Sequence, residues 1–437
     1  MAQALLDNQQ HDQKIQPRVW NFWRLLALSI GFLGIQFGWA IQMGQMSPLL
    51  ERLGSDPRLT GLISCAGPVT GVFVQPMIGA LSDRCTSRWG RRRPFLLLGI
   101  CLTALSLVFM PHSSSLLMAA VLLWILDASL NITQGPYRAL VPDVVPKQQQ
   151  AAAYAYMSAT IGLGSVIAFW VSSQLTQLDT LFNLGAMAIL LAMGATILLT
   201  PETPVIQENS EKKEAAPNMF KLLWRSIVVD PLTTFNALPQ DAKKLCFMHS
   251  MTWFGLMCLF VYVSVFIPHQ IFGAKTPQDP GYQTGVQWVS QCYAVFNIVC
   301  FVFSMAIGPL VRRFSKKWVH TLGLTCLSGG LLGLWFAPTP MWAMALMGLM
   351  GIGWATTLSV PFALLSDYLP GGKEGVLMGT FNIFIAAPGV LSNLLVGQLI
   401  ALYDNQTGVA MLVGGVMVLA SALMLQSIRE KPSLTLS

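Results

Sequence analysis

Gly79-Ala80-Leu81-Ser82-Asp83-Arg84, running on to Arg91-Arg92-Arg93, returns later in the chain as Gly308-Pro309-Leu310-Val311-Arg312-Arg313, running on to Lys316-Lys317. A second pair follows the same plan: Pro136-Tyr137-Arg138-Ala139-Leu140 with Asp143 and Pro146, then Pro361-Phe362-Ala363-Leu364-Leu365 with Asp367 and Pro370. Each echo lies about half a chain from its original, and each sits between long apolar runs. Outward from these four stretches the 437 residues read as one half repeated.

Composition says what the halves are made of. Charged residues are 10% of the chain, against roughly 25% in a soluble protein. Apolar residues are 54%, with 13 Trp, 23 Phe and 22 Met, bulk that a water-facing surface could not hide. The 8 cysteines are scattered without paired spacing, so neither a disulfide framework nor a zinc site is readable. Residues 1–19 are polar, and the first apolar run, from Trp20 to Met46, is too long for a signal peptide.

A span needs about 20 mostly apolar residues. Candidates fall at 22–47, 59–81, 94–112, 115–139, 152–175 and 181–200, then at 246–272, 284–311, 318–337, 340–364, 375–402 and 407–428. The expected fold is therefore an all-α polytopic membrane protein with 12 transmembrane helices in two six-helix halves. A tail over 1–19 precedes the first half, 20–200. A charged linker over 201–243, with a short surface helix at 219–229, leads to the second half, 244–428, and a tail over 429–437. Two such halves in parallel repeat make the major-facilitator plan, whose substrate site lies near the midplane between them.

Twelve spans put both termini on one side. That side collects 23 of the 26 Lys and Arg, leaving only Arg52, Arg58 and Lys275 for the other. The bias predicts cytoplasmic termini and accounts for the net charge of +7 without a nucleic-acid partner. Between spans 2 and 3, Asp83 with Arg84 is expected to make and break ion pairs as the halves rock, and Gly79 to let helices approach. Arg91 and Arg92 join this gating set, with enforcement of orientation as the other reading of the arginines.

Ionisable residues inside spans are rare. Asp127 stands in the middle of span 4, where a carboxylate costs about 2.5–3.5 kcal/mol on insertion scales. It is expected to face a cavity and carry a proton across. Asp127, Asn131, Gln134 and Arg138 are spaced i, i+4, i+7 and i+11, one helix face. A carboxylate, two amides and a guanidinium on one face suit a polyhydroxylated ligand in a wet cavity. Gln36, Trp39 and Gln42 of span 1 add an aromatic face beside amides, suited to a sugar or equally to packing. Gly71, Gln75 and Gly79 of span 2 read as helix packing. Tyr262, Trp288, Gln291 and Asn382 are the second half's binding candidates; His269 reads as interfacial.

The run Ser82-Asp83-Arg84-Cys85-Thr86-Ser87-Arg88-Trp89-Gly90-Arg91-Arg92-Arg93-Pro94-Phe95 resembles the loop 2–3 signature of sucrose–proton symporters. These belong with the glycoside–pentoside–hexuronide:cation symporters of the major facilitator superfamily. Gln36 to Gln42, Trp124 to Asp127, Gln134 to Leu140 and Ser359 to Ser366 are similar to that family's spans 1, 4 and 10. The resemblance implies that Asp127 carries the proton and that Arg138 is its essential partner. The chain departs from the plant carriers in having Pro57 near a His that follows span 1. It also reads Tyr262 to Gln270 where they have an Asp…Arg-Glu stretch. Short loops suggest a bacterial relative.

The expectation is a monomeric symporter in a bacterial inner membrane, coupling proton influx to uptake of sucrose or a related glucoside disaccharide, with no cofactor or metal. A proton-driven exporter of sugars or amphipathic compounds on the same fold is the alternative. No HExxH or GxSxG motif points to an enzyme.

Overall fold

The computed structural model describes residues 20–200, 202, 224, 229–366, 368 and 374–430. The tails expected at 1–19 and beyond 430, and most of the linker with its expected helix over 219–229, lie outside the described residues. Twelve long helices are present among those described. The first half holds α1 (Phe22–Arg52), α2 (Pro57–Asp83), α3 (Arg93–Phe109), α4 (Leu116–Val144), α5 (Gln150–Gln174) and α6 (Leu178–Leu199). The second holds α7 (Gln240–Ile271), α8 (Pro280–Arg313), α9 (Lys316–Trp335), α10 (Pro340–Ser366), α11 (Glu374–Leu402) and α12 (Gly408–Gln426).

Eleven of these helices are long and apolar enough to cross a membrane. The exception is α9, whose 20 residues include Lys316, Lys317 and His320. Leu117, Leu191, Leu198, Val302 and Met305 are each more than half exposed, a surface that lipid covers better than water. The protein is an integral, multi-pass membrane protein.

The halves repeat in their packing. In the first, α1 packs on α5 and α6, α3 on α4 and α6, and α2 on α4. In the second, α7 packs on α11 and α12, α9 on α10 and α12, and α8 on α10. The halves meet along α2 with α11 and α5 with α8.

Finer devices repeat too. Helix α1 widens into a π turn at Gln42–Met46, and α7 into one at Ile267–Ile271. Such turns shift the helix register and gather at functional sites. The first N–H groups of a helix have no partner of their own. At α3, the Glu202 carboxylate accepts from the N–H groups of Arg91 (2.6 Å), Arg92 (2.8 Å) and Arg93 (3.2 Å). At α9, the Glu430 carboxylate accepts from Lys316 (3.0 Å) and Lys317 (3.3 Å). Each acid follows the last helix of its half, so each half closes on itself through a carboxylate at a positive helix end.

Helix α1 runs from the end of the bundle where the described residues begin and end, called here the terminal end, to the opposite, distal end. The hydrogen bonds joining described residues of the two halves gather towards the distal end. They include Ser47 Oγ to the Val261 carbonyl (2.6 Å), Ser172 Oγ with Ser290 Oγ (3.0 Å), and Asn393 Nδ2 to the Ser64 carbonyl (2.9 Å). There α2 and α11 touch through backbone. A Cβ on Gly61 would lie 2.1 Å from the Asn393 carbonyl oxygen, and one on Gly397 2.5 Å from that of Pro57. Near the terminal end, a Cβ on Gly79 or Gly308 would meet nothing within 4 Å. The expected close approach at Gly79 is therefore absent in this conformation: the described contacts close the distal end, while Gly79 and Gly308 meet no neighbour.

Candidate transport site

Midway along α4, Asp127 is fully buried. Gln42 Nε2, at the start of the α1 π turn, donates to Asp127 Oδ2 at 3.1 Å. Asp127 Oδ1 is buried and has no hydrogen-bond partner among the described residues. One turn on, Asn131 Nδ2 donates to the Asp127 carbonyl (2.9 Å) and to Thr70 Oγ1 (3.0 Å), and Gln75 Nε2 donates to Asn131 Oδ1 (2.6 Å). Three helices, α1, α2 and α4, thus meet around Asp127 and Asn131, with α1 supplying the bond to the carboxylate.

Spacing made the α4 face legible; the partners from α2 were not. Gln75, read with Gly71 as packing, belongs to the polar network, and Thr70 was missed. A Thr and a Gln five residues apart on a glycine-bearing helix point to one face only once the facing Asn131 is known.

The rest of the predicted α4 and α1 stripe divides. Gln134 is buried with Nε2 unpartnered, and Gln42 Oε1 is likewise buried and bare. Such unpaired buried amides are unusual in a native protein and can hydrogen-bond an incoming ligand. Gln36 accepts from Ser165 Oγ on α5 (2.9 Å), and Trp39 is half-buried against the first-half core. Arg138 is exposed, with the Tyr154 hydroxyl on its backbone carbonyl at 3.4 Å. No described carboxylate lies within 4 Å of Arg138, so it does not pair directly with Asp127.

The second half answers with rings. Trp253 on α7 and Trp354 on α10 meet edge to face at 5.7 Å, and Phe260 and Phe296 meet Trp354 at 5.5 and 6.3 Å. Both indoles are half-buried. His249 is fully buried, stacked on Phe381 at 4.5 Å, with Trp253 Nε1 donating to its Nε2 at 2.9 Å. None of these was singled out from the sequence, because a Trp in an apolar run carries no signal of its own.

The expected second-half residues lie elsewhere. Tyr262 is buried in the distal seam, its hydroxyl on the Pro57 carbonyl (3.3 Å) and hemmed in by Gly61 and Gly397. Trp288 is half-buried and donates to the Pro340 carbonyl (2.9 Å), bracing α8 on α10. Neither stands beside the Asp127 network in this conformation. Gln291 is half-buried on α8. Asn382 lies on α11, but its side chain is outside the described residues.

At the terminal end the charges gather within the first half. Asp83 meets Arg92, not Arg84: Arg92 Nη1 lies 2.5 Å from Asp83 and Nε 2.8 Å from Asp143. Arg92 is only 4% exposed and also donates to Ser82 Oγ. The cluster clasps α2, the start of α3 and α4 within one half. Arg84 is exposed, and Arg91 contributes its backbone N–H to Glu202.

Known proteins place this arrangement. The chain is 25% identical to Sucrose transport protein SUC4 of Arabidopsis thaliana over 92% of its own length and 88% of that protein's. It is 25% identical to the General alpha-glucoside permease of Schizosaccharomyces pombe, covering 85% of each. Among solved structures, the nucleoside transporter NupG superposes with a TM-score of 0.72 at 14% identity, covering 93% of this chain and 99% of that one. The D-xylose-proton symporter superposes at 0.63 and 16%, covering 93% and 97%. These relatives are transporters, not enzymes. The family profile described as Major Facilitator Superfamily matches residues 28–393, with a second match over 277–436. With twelve helices in two repeated halves, the chain belongs to the Major Facilitator Superfamily.

Proposed function

We propose that the protein is a proton-coupled sugar symporter that takes up sucrose or a related α-glucoside by alternating access. Its setting would be a bacterial inner membrane, with both termini cytoplasmic. The observation that carries the reading is Asp127: a fully buried carboxylate with one oxygen held by Gln42 and the other bare. Charged and unpaired, such a group is costly in a dry site; a proton on Oδ1 removes the charge. Gln42 is thereby both the neighbour of the proton site and a member of the amide stripe facing the cargo. A sugar bound by Gln42, Asn131 and Gln134 can report its presence to the carboxylate. The printed names of the sucrose and alpha-glucoside relatives support the cargo.

The energetics suffice with one carboxylate. A proton crossing 100 mV releases about 2.3 kcal/mol, enough for roughly a fortyfold gradient at 1.4 kcal/mol per decade. Labelled sucrose uptake into proteoliposomes with an imposed inward proton gradient tests the reading. Wild type should accumulate sucrose, a protonophore should stop it, and Asp127→Asn should reduce accumulation to background while sparing exchange. Normal gradient-driven accumulation by Asp127→Asn would refute the assignment. Proton movement triggered by another sugar would keep the mechanism and change the cargo.

A further inference from the structure

The distal seam holds a second titratable group that joins the halves. His269, in the α7 π turn, has Nε2 2.6 Å from Glu51 Oε1 on α1 and Nδ1 2.6 Å from the Ala274 carbonyl oxygen. The Tyr282 hydroxyl on α8 donates to the other Glu51 oxygen. Both ring nitrogens therefore face oxygen acceptors at hydrogen-bond distance. A carbonyl cannot donate, so Nδ1 carries a hydrogen. A neutral ring then has a lone pair at Nε2, which cannot sit 2.6 Å from a carboxylate oxygen unless a proton lies between them. Whether that proton is assigned to the imidazolium or to the carboxylic acid, the pair holds one more proton than a neutral histidine beside a carboxylate.

We propose that Glu51 and His269 form a second proton site, distinct from Asp127, whose occupancy holds the distal end closed. The site bridges α1 and α7, so opening that end separates its two members. Their side chains are 25% and 22% exposed, within reach of protons from water at that face. Other polar and charged groups surround the pair. Tyr282 donates to Glu51, and the Arg52 guanidinium lies 5.7 Å over the Tyr282 ring and donates to Gln283. In the α7–α8 loop, backbone N–H bonds from Lys275 and Thr276 hold the exposed Asp279 carboxyl below its ordinary range. Helix α10, also packed on the His269 turn, has no titratable side chain along Pro340–Ser366.

The sign follows from linkage. The closed state binds the extra proton more tightly than the open one, so closure is favoured at low pH. As pH rises through the pair's titration, the ratio of closed to open falls by up to about tenfold per pH unit. Glu51→Gln should remove this dependence, because its amide can donate to a neutral Nε2 and its oxygen can accept from Tyr282. That variant should stay closed at every pH.

Spin labels at Gln177→Cys and Gln278→Cys, exposed positions on the two halves, would read the distal distance in nanodiscs. The three thiols not buried, Cys85, Cys101 and Cys326, would first be replaced by serine. Wild type and Asp127→Asn should both open as pH rises. Glu51→Gln should stay closed, and His269→Phe, lacking both donors, should open more at every pH. Wild-type pH dependence in Glu51→Gln, no pH response in wild type, or an undiminished closed fraction in His269→Phe would each overturn the proposal. A response lost in Asp127→Asn but kept in Glu51→Gln would assign it to the central carboxylate instead.

Discussion

The two halves share a scaffold and differ in what fills it. Glu202 and Glu430 close their own helix ends, and α1 and α7 carry matching π turns. At the centre the likeness stops. The first half concentrates Asp127, Asn131, Gln75 and Gln42 into one hydrogen-bonded group, whereas the second packs the rings of Trp253, Trp354, Phe381 and His249 against one another. The repeat supplies the architecture twice and the ion chemistry at the centre once. A carboxylate in mid-membrane is expensive, and one suffices for the coupling proposed above; apolar rings carry no such cost.

The sharpest way to break this division is at Asp127, where asparagine should abolish concentrative uptake. Next comes the aromatic side. Trp354→Ala should raise the KM for sugar about tenfold, roughly 1.4 kcal/mol, while leaving the accumulation ratio intact. If it abolished proton coupling instead, as judged by sugar-triggered proton movement, the halves would not divide the work as described.

Smaller effects test what the halves share. Glu202→Gln and Glu430→Gln each weaken charge-assisted bonds to a helix end, and each should lower stability by about 0.5–2 kcal/mol. Thermal unfolding of the two variants should give matching losses; a large loss in one alone would show that the caps are not equivalent. Smallest of all should be Gly79→Ala and Gly308→Ala. A methyl at either meets open space in this conformation, so alanine should stabilise each helix by no more than about 1 kcal/mol. Slower transport by either variant at unchanged stability would indicate that the glycines are packed when the terminal end closes.

The scaffold was largely legible in the sequence, because a span announces itself by length and apolarity and the basic loops by their echo. Helix α9 was the faintest, with two lysines and a histidine in its first turns. Asp127 was legible for the opposite reason: a charge inside an apolar run is conspicuous. Its α4 neighbours followed from helical spacing, but Gln75 and Thr70 needed the third dimension. The distal pair was illegible because Glu51 and His269 stand 218 residues apart, near span ends where charges are ordinary. Tyr262 misled for a related reason. A polar aromatic on an inner helix suits a cavity or a seam equally, and only the glycines of α2 and α11 decide between them.

Those glycines have a further consequence. Where Gly61 meets the Asn393 carbonyl and Gly397 that of Pro57, α2 and α11 touch main chain to main chain, with the buried Tyr262 hydroxyl held against them on the Pro57 carbonyl. A seal made of side chains breathes as rotamers flip on the picosecond-to-nanosecond scale, opening transient gaps that a file of water could thread. A backbone seal has no such rotamers, so it can part only when whole helices move. Along that seam a closed distal end leaves little room for a file of water, a condition that the proposed proton coupling needs.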